Sequence, residues 1–455
     1  MMKGYLTTFL ALSLSIFIGF ILLLTQGALL NGEKVRLECA VNTAMNATLG
    51  EYHIGLFETY DLLYVDTSYL VHAPCKEHLA ERLRYYIKGN LQIPWGWISL
   101  DNVEITALET AAADFGASMR NQAITYIHDK GEVHQWQVLP YIEVLRLLDG
   151  GDPLAEWSGL MESIAGMELP KIQNEEGIWE EVPLLNPADA IFSLSGSDIF
   201  YLAKVDLKKV SANRVHLENY ISHRQPENTG SVNRTYIQDE NAYLNYLFEK
   251  FGNFHNPASE SLLSCQLEYI ACGKASDREN VYEVGKRLFR MRFTDNVSCA
   301  FSDGHLRAEA ELLANALQAV QLNPAFREPV VKSILYACAF LETVNDIRNL
   351  YHGKAVPITK SSHNMSIESV LSGTTYEGDG GGGLSYQEYL AGMLLLLDEK
   401  QLNLRVMDLM EMEMRKRDGN EQFSMDWCVE RYEFEVSSKN NFGDMWNIKR
   451  KCGYF

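Results

Sequence analysis

One stretch constrains this chain more than any other. From Tyr5 to Leu30 it reads YLTTFLALSLSIFIGFILLLTQGALL, with no charge between Lys3 and Glu33. A helix of about 20 apolar residues crosses the ~30 Å hydrocarbon core of a bilayer. This run is long enough, and it would bury no charge in lipid. A cleaved signal peptide has a shorter apolar stretch, about 7–15 residues, followed by a small-residue site of the A-x-A kind. No clean A-x-A follows here. The sequence therefore predicts one N-terminal membrane anchor. Lys34 and Arg36 beyond the span are offset by Glu33 and Glu38, so the positive-inside bias is nearly balanced. Long domains translocate largely regardless of charge. The expected topology is a cytoplasmic N-terminus and an extracytoplasmic body in a single-pass protein of the cell membrane.

The apolar span runs on into an amphipathic segment. Leu30, Leu37, Val41, Ala44 and Thr48 recur at helical spacing, with Glu33, Lys34, Arg36 and Glu38 between them. This predicts one long helix whose rear half packs on the body. The body is ordinary globular material: 455 residues in all, 47% hydrophobic and 22% charged. A net charge of −20 repels phosphate backbones, which argues against a nucleic-acid partner. It also repels anionic lipid headgroups, so membrane lipid is engaged through the hydrophobic helix alone.

The expected fold class is α+β. A helix-rich body follows the membrane helix, with a small mixed or antiparallel sheet and a C-terminal β-hairpin. Residues 1–50 form the transmembrane and amphipathic helix, and 51–170 an α+β domain. Residues 171–235 are a mixed segment with loops, 236–372 a helical domain, and 384–455 a long helix and the hairpin. Within 51–170, GLFETYDLLYVDTSY reads as a short β-like run, CKEHLAERLRYYIKGNL as a helix and VEITALET as a strand. The stretch from Pro170 to Pro187 reads as a loop. RAEAELLANALQAVQL is the clearest helix, and LSYQEYLAGMLLLLDEKQLNLRVMDLMEMEMRKR reads as a single long one.

At the C-terminus Tyr432, Phe434 and Val436 alternate with charged residues, and NNFGD supplies a turn. Pairing about Asn440 would set Phe434 opposite Trp446, Tyr432 opposite Ile448 and Cys428 opposite Cys452. That register predicts a Cys428–Cys452 contact close enough for a disulfide in an oxidising compartment. The alternative is two buried free thiols. Six other cysteines complete the set, without any C-x-x-C pair. Cys338, within ILYACAFL, reads as a buried free thiol.

Catalytic and metal signatures are absent from the sequence. ACGKAS lacks the upstream glycine of a phosphate-cradling loop. Glu377, Asp379 and Glu388 stand at positions 1, 3 and 12 of a calcium-loop pattern, but its fifth position is Gly381, inside the flexible run GDGGGG. The pairs His72/His78 and His128/His134 are six apart, where ligands on one helical face are three or four apart. Four N-x-S/T sequons occur, at Asn46, Asn233, Asn296 and Asn364. No catalytic residue, cofactor or metal ligand is assigned. In SDRENV, Ser276 or Asp277 is placed to cap a helix with Glu279 in its first turn. In VNDIRNL, Asp346 and Arg348 suggest a structural hydrogen bond or ion pair inside an apolar helix.

Two resemblances follow from these residues. KGYLTTFLALSLSIFIGFILLLTQGALL, continued by RLECAVNTAMNATLGEY, resembles the membrane anchors of Tad-type pseudopilins. By that likeness Gly4–Tyr5 is the candidate prepilin-peptidase junction. The fifth mature position, Glu in type IV pilins, would here be Phe9. Along the whole chain, ETYDLLYVDTSY, NPADAIFSLSGSDIFYLAKV, LEYIACGKASDRENVYEVGKRLFRMR, LETVNDIRNLYHGKAVPITK and LSYQEYLAGMLLLL resemble the domain-of-unknown-function family 5702 of Gram-positive bacteria. The resemblance implies an anchored, exported protein that works with other envelope or pilus-like proteins, as a structural component of a Tad-like pilus or secretion apparatus. Such a part needs no active site. The competing expectation is an anchored cell-envelope hydrolase, which requires a concave site with converging carboxylates or a Ser/Cys–His pair.

Overall fold

The computed structural model describes residues 2–70, 73–91, 98–131, 133–207, 210–230, 234–360, 365, 367–372 and 383–454. In chain order they form helix α1 (Met2–Leu49), α2 (Ile54–Tyr60), strand β1 (Val65–Asp66), α3 (Lys76–Leu91), β2 (Ile98–Thr110), α4 (Ala117–Lys130), α5 (Ile142–Asp149) and α6 (Pro153–Ala165). There follow β3 (Lys171–Gln173), β4 (Trp179–Glu181), α7 (Ala188–Ser193), α8 (Ile199–Ala203), α9 (Glu240–Lys250), α10 (Gln266–Cys272) and α11 (Asp277–Ser302). The last are α12 (Gly304–Ala316), α13 (Gln318–Leu322), α14 (Arg327–Tyr351), α15 (Ile367–Ser372), α16 (Tyr386–Leu395), α17 (Glu399–Arg415), β5 (Cys428–Asn440) and β6 (Met445–Gly453). The fold is α+β, with an N-terminal apolar helix and an antiparallel sheet that ends in a C-terminal hairpin. Two compact units divide the chain: one holds residues 1–126, 219–237 and 406–455, the other 127–218 and 238–405.

The first unit is built on β5. One edge of β5 pairs antiparallel with β2 along its length; the other pairs with β6 and, beyond it, with the two residues of β1. Alternate side chains of a strand point to opposite faces. Tyr432, Phe434 and Val436 accordingly share one buried face with Ile448 and Cys452. Leu79, Leu83 and Ile87 of α3 cover that face, together with Leu37, Ala40, Val41 and Ala44 of α1. Burying a side chain such as Leu37 or Val41, both fully enclosed, contributes about 1.5–3 kcal/mol.

α1 is 48 residues long, about 72 Å at 1.5 Å per residue. Its rear half is the seated part just described. Its front half is exposed: Phe9, Phe17 and Leu23 are each more than 60% exposed. The window of mean hydropathy 2.4 in this helix is 0% buried, and the helix is long and apolar enough to cross a membrane.

The segment 219–237 is fastened to the first unit by two arginines. Arg224 reaches Asp426 at 2.5 Å and Glu411 at 2.7 Å, and Arg234 reaches Glu109 at 3.1 Å and Glu430 at 3.0 Å. Glu411 and Glu430 are fully buried, so these pairs satisfy charges that water cannot reach.

The second unit is helical. α14 is its axis, buried on nearly every side, and α6, α7, α8, α11, α12 and α15 pack around it. Trp157 stacks on Tyr336 at 6.1 Å between ring centroids, and Phe293 and Phe340 crowd the same core.

Several elements differ from the sequence reading. Residues 55–60 of the supposed β-like run are helical, as part of α2, because His53 caps the helix and Asp61 ends it in a left-handed conformation. Only Val65 and Asp66 of that run are strand. The Pro170–Pro187 stretch contains the β3–β4 hairpin, turned at Gly177 with φ +76°. Leu317, in an extended conformation, separates α12 from α13. The single long helix from Tyr386 is two, since Asp398 accepts the Gln401 amide and starts α17 anew.

The hairpin register is also different. Tyr432 faces Cys452, Val436 faces Ile448 and Ser438 faces Trp446. The turn is centred on Phe442, two residues later than expected. Asn440 remains in the strand, its Oδ1 accepts the Phe442 and Asp444 amides, and Gly443 takes the left-handed position with φ +94°. A three-residue loop with glycine at the left-handed position is a common hairpin closure. The slip is an even number of residues, so the same side chains stay on the buried face.

Candidate functional site

The family-like motifs are interior architecture. In LEYIACGKASDREN, the Glu268 carboxylate accepts the Phe254 amide at 2.8 Å and the Tyr386 hydroxyl at 2.9 Å. Gly273 ends α10 with φ +67°, a conformation that favours glycine; a Cβ there would also meet the Arg405 guanidinium at 2.7 Å. Ser276 caps α11 by accepting the Glu279 amide. Asp277 accepts the amides of Ser264 and Cys265, and Asn280 brackets Lys274 through both its amide and its carbonyl. Burial pushes the Glu268 carboxyl up to about 7. These residues tie the α10–α11 corner together and expose no reactive atom.

VNDIRNL contributes to a cluster of charges beside α14. Asp346 accepts from Arg292 Nε at 3.0 Å and from Lys360 Nζ at 2.6 Å. Arg292 also reaches Asp295 and the Ile358 carbonyl, each at 3.0 Å. Lys360 forms an ion pair with Glu342. The Asn296 amide nitrogen donates to Asp346 and to Thr343. Arg292 and Asp346 are essentially inaccessible, at 0% and 1% exposure. Two cations face three carboxylates, so one carboxyl is favoured in its protonated form. Burial pushes Glu342 up to about 7, against the opposing pull of Lys360. The expected ion pair or hydrogen bond at Asp346 and Arg348 is present in altered form. Asp346 pairs with Arg292 and Lys360, and Arg348 donates to the Leu202 carbonyl.

In the first unit a cavity of about 350 Å³ opens among Glu51 and Tyr52 after α1, His53 to Gly55 at α2, Asp66 of β1 with Tyr69 and Leu70 beyond it, Arg82 of α3, and Arg417 and Asn420 after α17. Its polar walls are deeply set: His53 is 8% exposed, Asp66 5% and Asn420 7%. His53 Nδ1 accepts the Leu56 amide at 3.1 Å, so the neutral ring carries its proton on Nε2. Burial lowers the His53 pKa, which keeps the ring neutral. Asp66 is raised by burial, although the Ser68 hydroxyl and amide both donate to it.

Four buried polar atoms on residues that line this cavity make no hydrogen bond of good geometry among the described residues: His53 Nε2, Asn420 Oδ1, Tyr69 Oη and Glu51 Oε2; Asn420 still approaches His53 closely enough to favour its protonated form, and Glu51 Oε1 accepts the Tyr86 hydroxyl at 2.6 Å. The nearest cation to Glu51 is Arg82, 3.9 Å away, which also lies over the Tyr69 ring at 4.8 Å. Arg417 donates to Thr59 at 2.7 Å.

The residues singled out from sequence are scattered. Gly4 and Tyr5 lie at the start of α1, where Tyr5 is 80% exposed. Cys428 and Cys452 share the buried face but not a pairing. Cys428 lies opposite Asp66 and Cys452 opposite Tyr432, and both are free thiols. The later turn sets the pair four strand positions apart, about 13 Å, beyond disulfide reach. Their Sγ atoms donate to the Ser424 and Tyr432 carbonyls.

Of the histidines, His78 meets the Thr67 carbonyl, and His128 meets Asp239 at 2.8 Å. His134 stacks edge-on against Trp136. His72, Glu377, Asp379, Gly381, Asn233 and Asn364 lie outside the described residues. Glu388 accepts the Gln137 and Val138 amides. Among the sequons, Asn296 is buried in the charge cluster. No group of three or more His, Cys, Asp or Glu side chains among the described residues is placed to hold a metal.

The cavity had no sequence signal. Its walls come from residues 51–82 and 417–420, and no spacing rule connects them.

A family model described as a family of unknown function, DUF5702, matches residues 177–440. No curated protein and no solved structure matches the chain.

Proposed function

The chain belongs to the DUF5702 family, a family of unknown function, and from that premise we propose that it is a membrane-anchored, pseudopilin-like structural component of a Tad-like pilus or secretion apparatus. In this reading its N-terminus is cytoplasmic and its body extracytoplasmic. The observation that carries the reading is the division of α1. One uninterrupted helix has an exposed apolar front half and a rear half seated on an antiparallel sheet. An apolar face of that extent is unfavourable in water, and lipid or the helices of neighbouring subunits would cover it. A rigid continuous helix also transmits position from the membrane to the body, which a flexible tether would not.

The test is the mature N-terminus together with membrane fractionation in the native host. A chain that begins at Tyr5 and sediments with the membrane supports the pseudopilin role. An intact Met1 in the membrane leaves a static anchored protein and removes the assembly reading. A soluble chain cleaved near residues 25–32 overturns the anchor itself.

An anchored hydrolase is the second reading, and the cavity that holds His53 and Asp66 favours it. The nearby Ser68 hydroxyl donates to Asp66 rather than to His53, so these two do not form a Ser–His pair.

A further inference from the structure

The C-terminal hairpin turns beside the point where the uncharged run of α1 ends. The Asn440 side-chain amide donates to Glu33 Oε2 at 3.1 Å and to Asp444 Oδ2 at 3.0 Å. Glu33 is the first charged residue after Leu30. Two further contacts fix the direction of the strand. Arg450 Nε donates to Asn42 Oδ1 at 3.4 Å, and the Tyr454 hydroxyl donates to the Leu49 carbonyl at 2.6 Å. Residue numbers thus rise together along β6 and α1, so the strand runs beside the helix and its turn points toward the front half. Residues 441–443 project past Asn440 and Asp444 by little more than one strand residue, about 4 Å at ~3.3 Å per residue. At about 1.5 Å per helical residue, that brings Phe442 level with Leu30.

The turn is apolar and exposed there. Phe442 is 69% exposed, and Met445, the first residue of β6, 75%. Single exposed apolar side chains are ordinary on protein surfaces and need no explanation by themselves. Position separates these two from the others of the first unit. Tyr85 of α3 is as exposed, at 68%, but its neighbour Tyr86 donates to Glu51, past the far end of α1. That places it about 25 Å further from the span. Charge around the turn is balanced: Glu33, Asp101 and Asp444 are matched in number by Lys34, Arg36 and Lys439. Attraction to anionic headgroups therefore contributes little, and apolar contact is what this surface offers. The span also has length to spare. The uncharged helix from Tyr5 to Leu30 is about 39 Å long, against a hydrocarbon core of ~30 Å. A span longer than the core tilts, and interfacial side chains set the direction of the tilt.

We propose that the β5–β6 turn is a second membrane contact. Phe442 enters the edge of the hydrocarbon and Met445 lies among the headgroups, in the same leaflet from which α1 emerges. The occupant of this surface is the lipid bilayer. The proposal rests on the anchor reading of α1 and goes beyond it: α1 tilts toward the hairpin, and the first unit is held at two points rather than swinging about one. Asn440, bonded to both Glu33 and Asp444, is the residue that fixes the turn to the helix at this level.

The experiment uses the full chain in phosphatidylcholine nanodiscs that contain a lipid with a diazirine on its acyl chain. Light expels nitrogen and leaves a carbene, which inserts into bonds it meets below the headgroups. Mass spectrometry then locates the labelled peptides. The expected result is label on the α1 span and on the hairpin peptide. The peptides that hold Tyr85 and Ile54, the latter 63% exposed, should show background only. Phe442→Ser combined with Met445→Ser should reduce the hairpin to that background and leave the span labelled. Both positions are exposed, so the thermal melt should not change. A labelled span with an unlabelled hairpin overturns the proposal and leaves the anchor standing. No label on either overturns the anchor reading and the proposal with it. Equal label on the hairpin and Tyr85 peptides, or a hairpin label that survives the double substitution, also overturns the proposal, because contact would then depend on neither depth nor these side chains.

Discussion

The charge cluster beside α14 and the cavity beside α2 bury comparable chemistry and finish it differently. In the cluster, Arg292, Asp295, Asp346, Lys360 and Glu342 are each turned toward an opposite charge, and Asn296 fills a remaining position on Asp346. In the cavity, His53, Asn420, Tyr69 and Glu51 each keep an unused atom. A closed network specifies one packing and resists change, because removing any member strands its partner in a low dielectric. An open one already carries the cost of its bare polar atoms, so removing one of them strands nothing further. Burial therefore does not separate the two regions, whereas the degree of partnering does: one bare atom in the cluster, on Asn296, against four on the residues of the cavity.

The sharpest way to break this comparison is to open the cluster. Asp346→Ala would leave Arg292 and Lys360 facing each other without their shared carboxylate. Arg292 keeps Asp295 and Lys360 keeps Glu342, so the expected loss is about 3 kcal/mol, from the charged hydrogen bonds to Asp346 that disappear, each worth about 1.5–3 kcal/mol. Urea unfolding, followed through the fluorescence of the fully buried Trp157, reads this directly. A loss below about 1 kcal/mol would mean that water enters the cluster and that it is not closed.

A smaller effect should appear with pH. Glu342 in the fold ionises near 7, while a free glutamate ionises at about 4.3. The folded state therefore holds a proton that the unfolded state has released. The contribution of that proton is complete below the unfolded pKa and is lost as pH rises through about 7. Stability of the second unit should fall between pH 5 and pH 8. Glu268, also raised to about 7 by burial, acts in the same direction. Glu342→Gln should flatten the profile, and the double variant with Glu268→Gln should flatten it further. An unaltered slope in both would refute the excess-carboxyl account.

The two regions also differ in how far the sequence disclosed them. Asp346 inside VNDIRNL was legible as a polar group needing a partner, since a charge in an otherwise apolar helix demands one. The partners were not: Arg292 and Lys360 come from other segments, and no periodicity names them. The same limit applied to β5. Its alternation fixed which face is buried, but register depended on whether Asn440 turned the chain or ended the strand. That choice lay in side-chain capping, which alternation does not encode. The apolar front of α1 was the most legible feature, because 18 or more uncharged residues have few alternatives. The cavity was illegible throughout. It is lined by residues from the two ends of the chain, and each residue is unremarkable where it stands.

The least disruptive substitution sharpens the comparison from the other side. Asn420 is about as buried as two carboxylates of the cluster, at 7% exposure against 6% for Glu342 and 7% for Asp295. On burial alone Asn420→Ala should be costly. On partnering it should not, because the Oδ1 it removes makes no hydrogen bond of good geometry among the described residues. Deleting an unsatisfied acceptor relieves a desolvation penalty of about 1–3 kcal/mol, which offsets the packing lost with a short side chain. The expected change is within about 1 kcal/mol of zero, measured by the same urea unfolding. A loss of about 3 kcal/mol would show that Asn420 belongs to a closed structural network after all, and the distinction between the two regions would fail there. A near-neutral result, beside a destabilised Asp346→Ala, would leave partnering rather than burial as the property that separates the two regions.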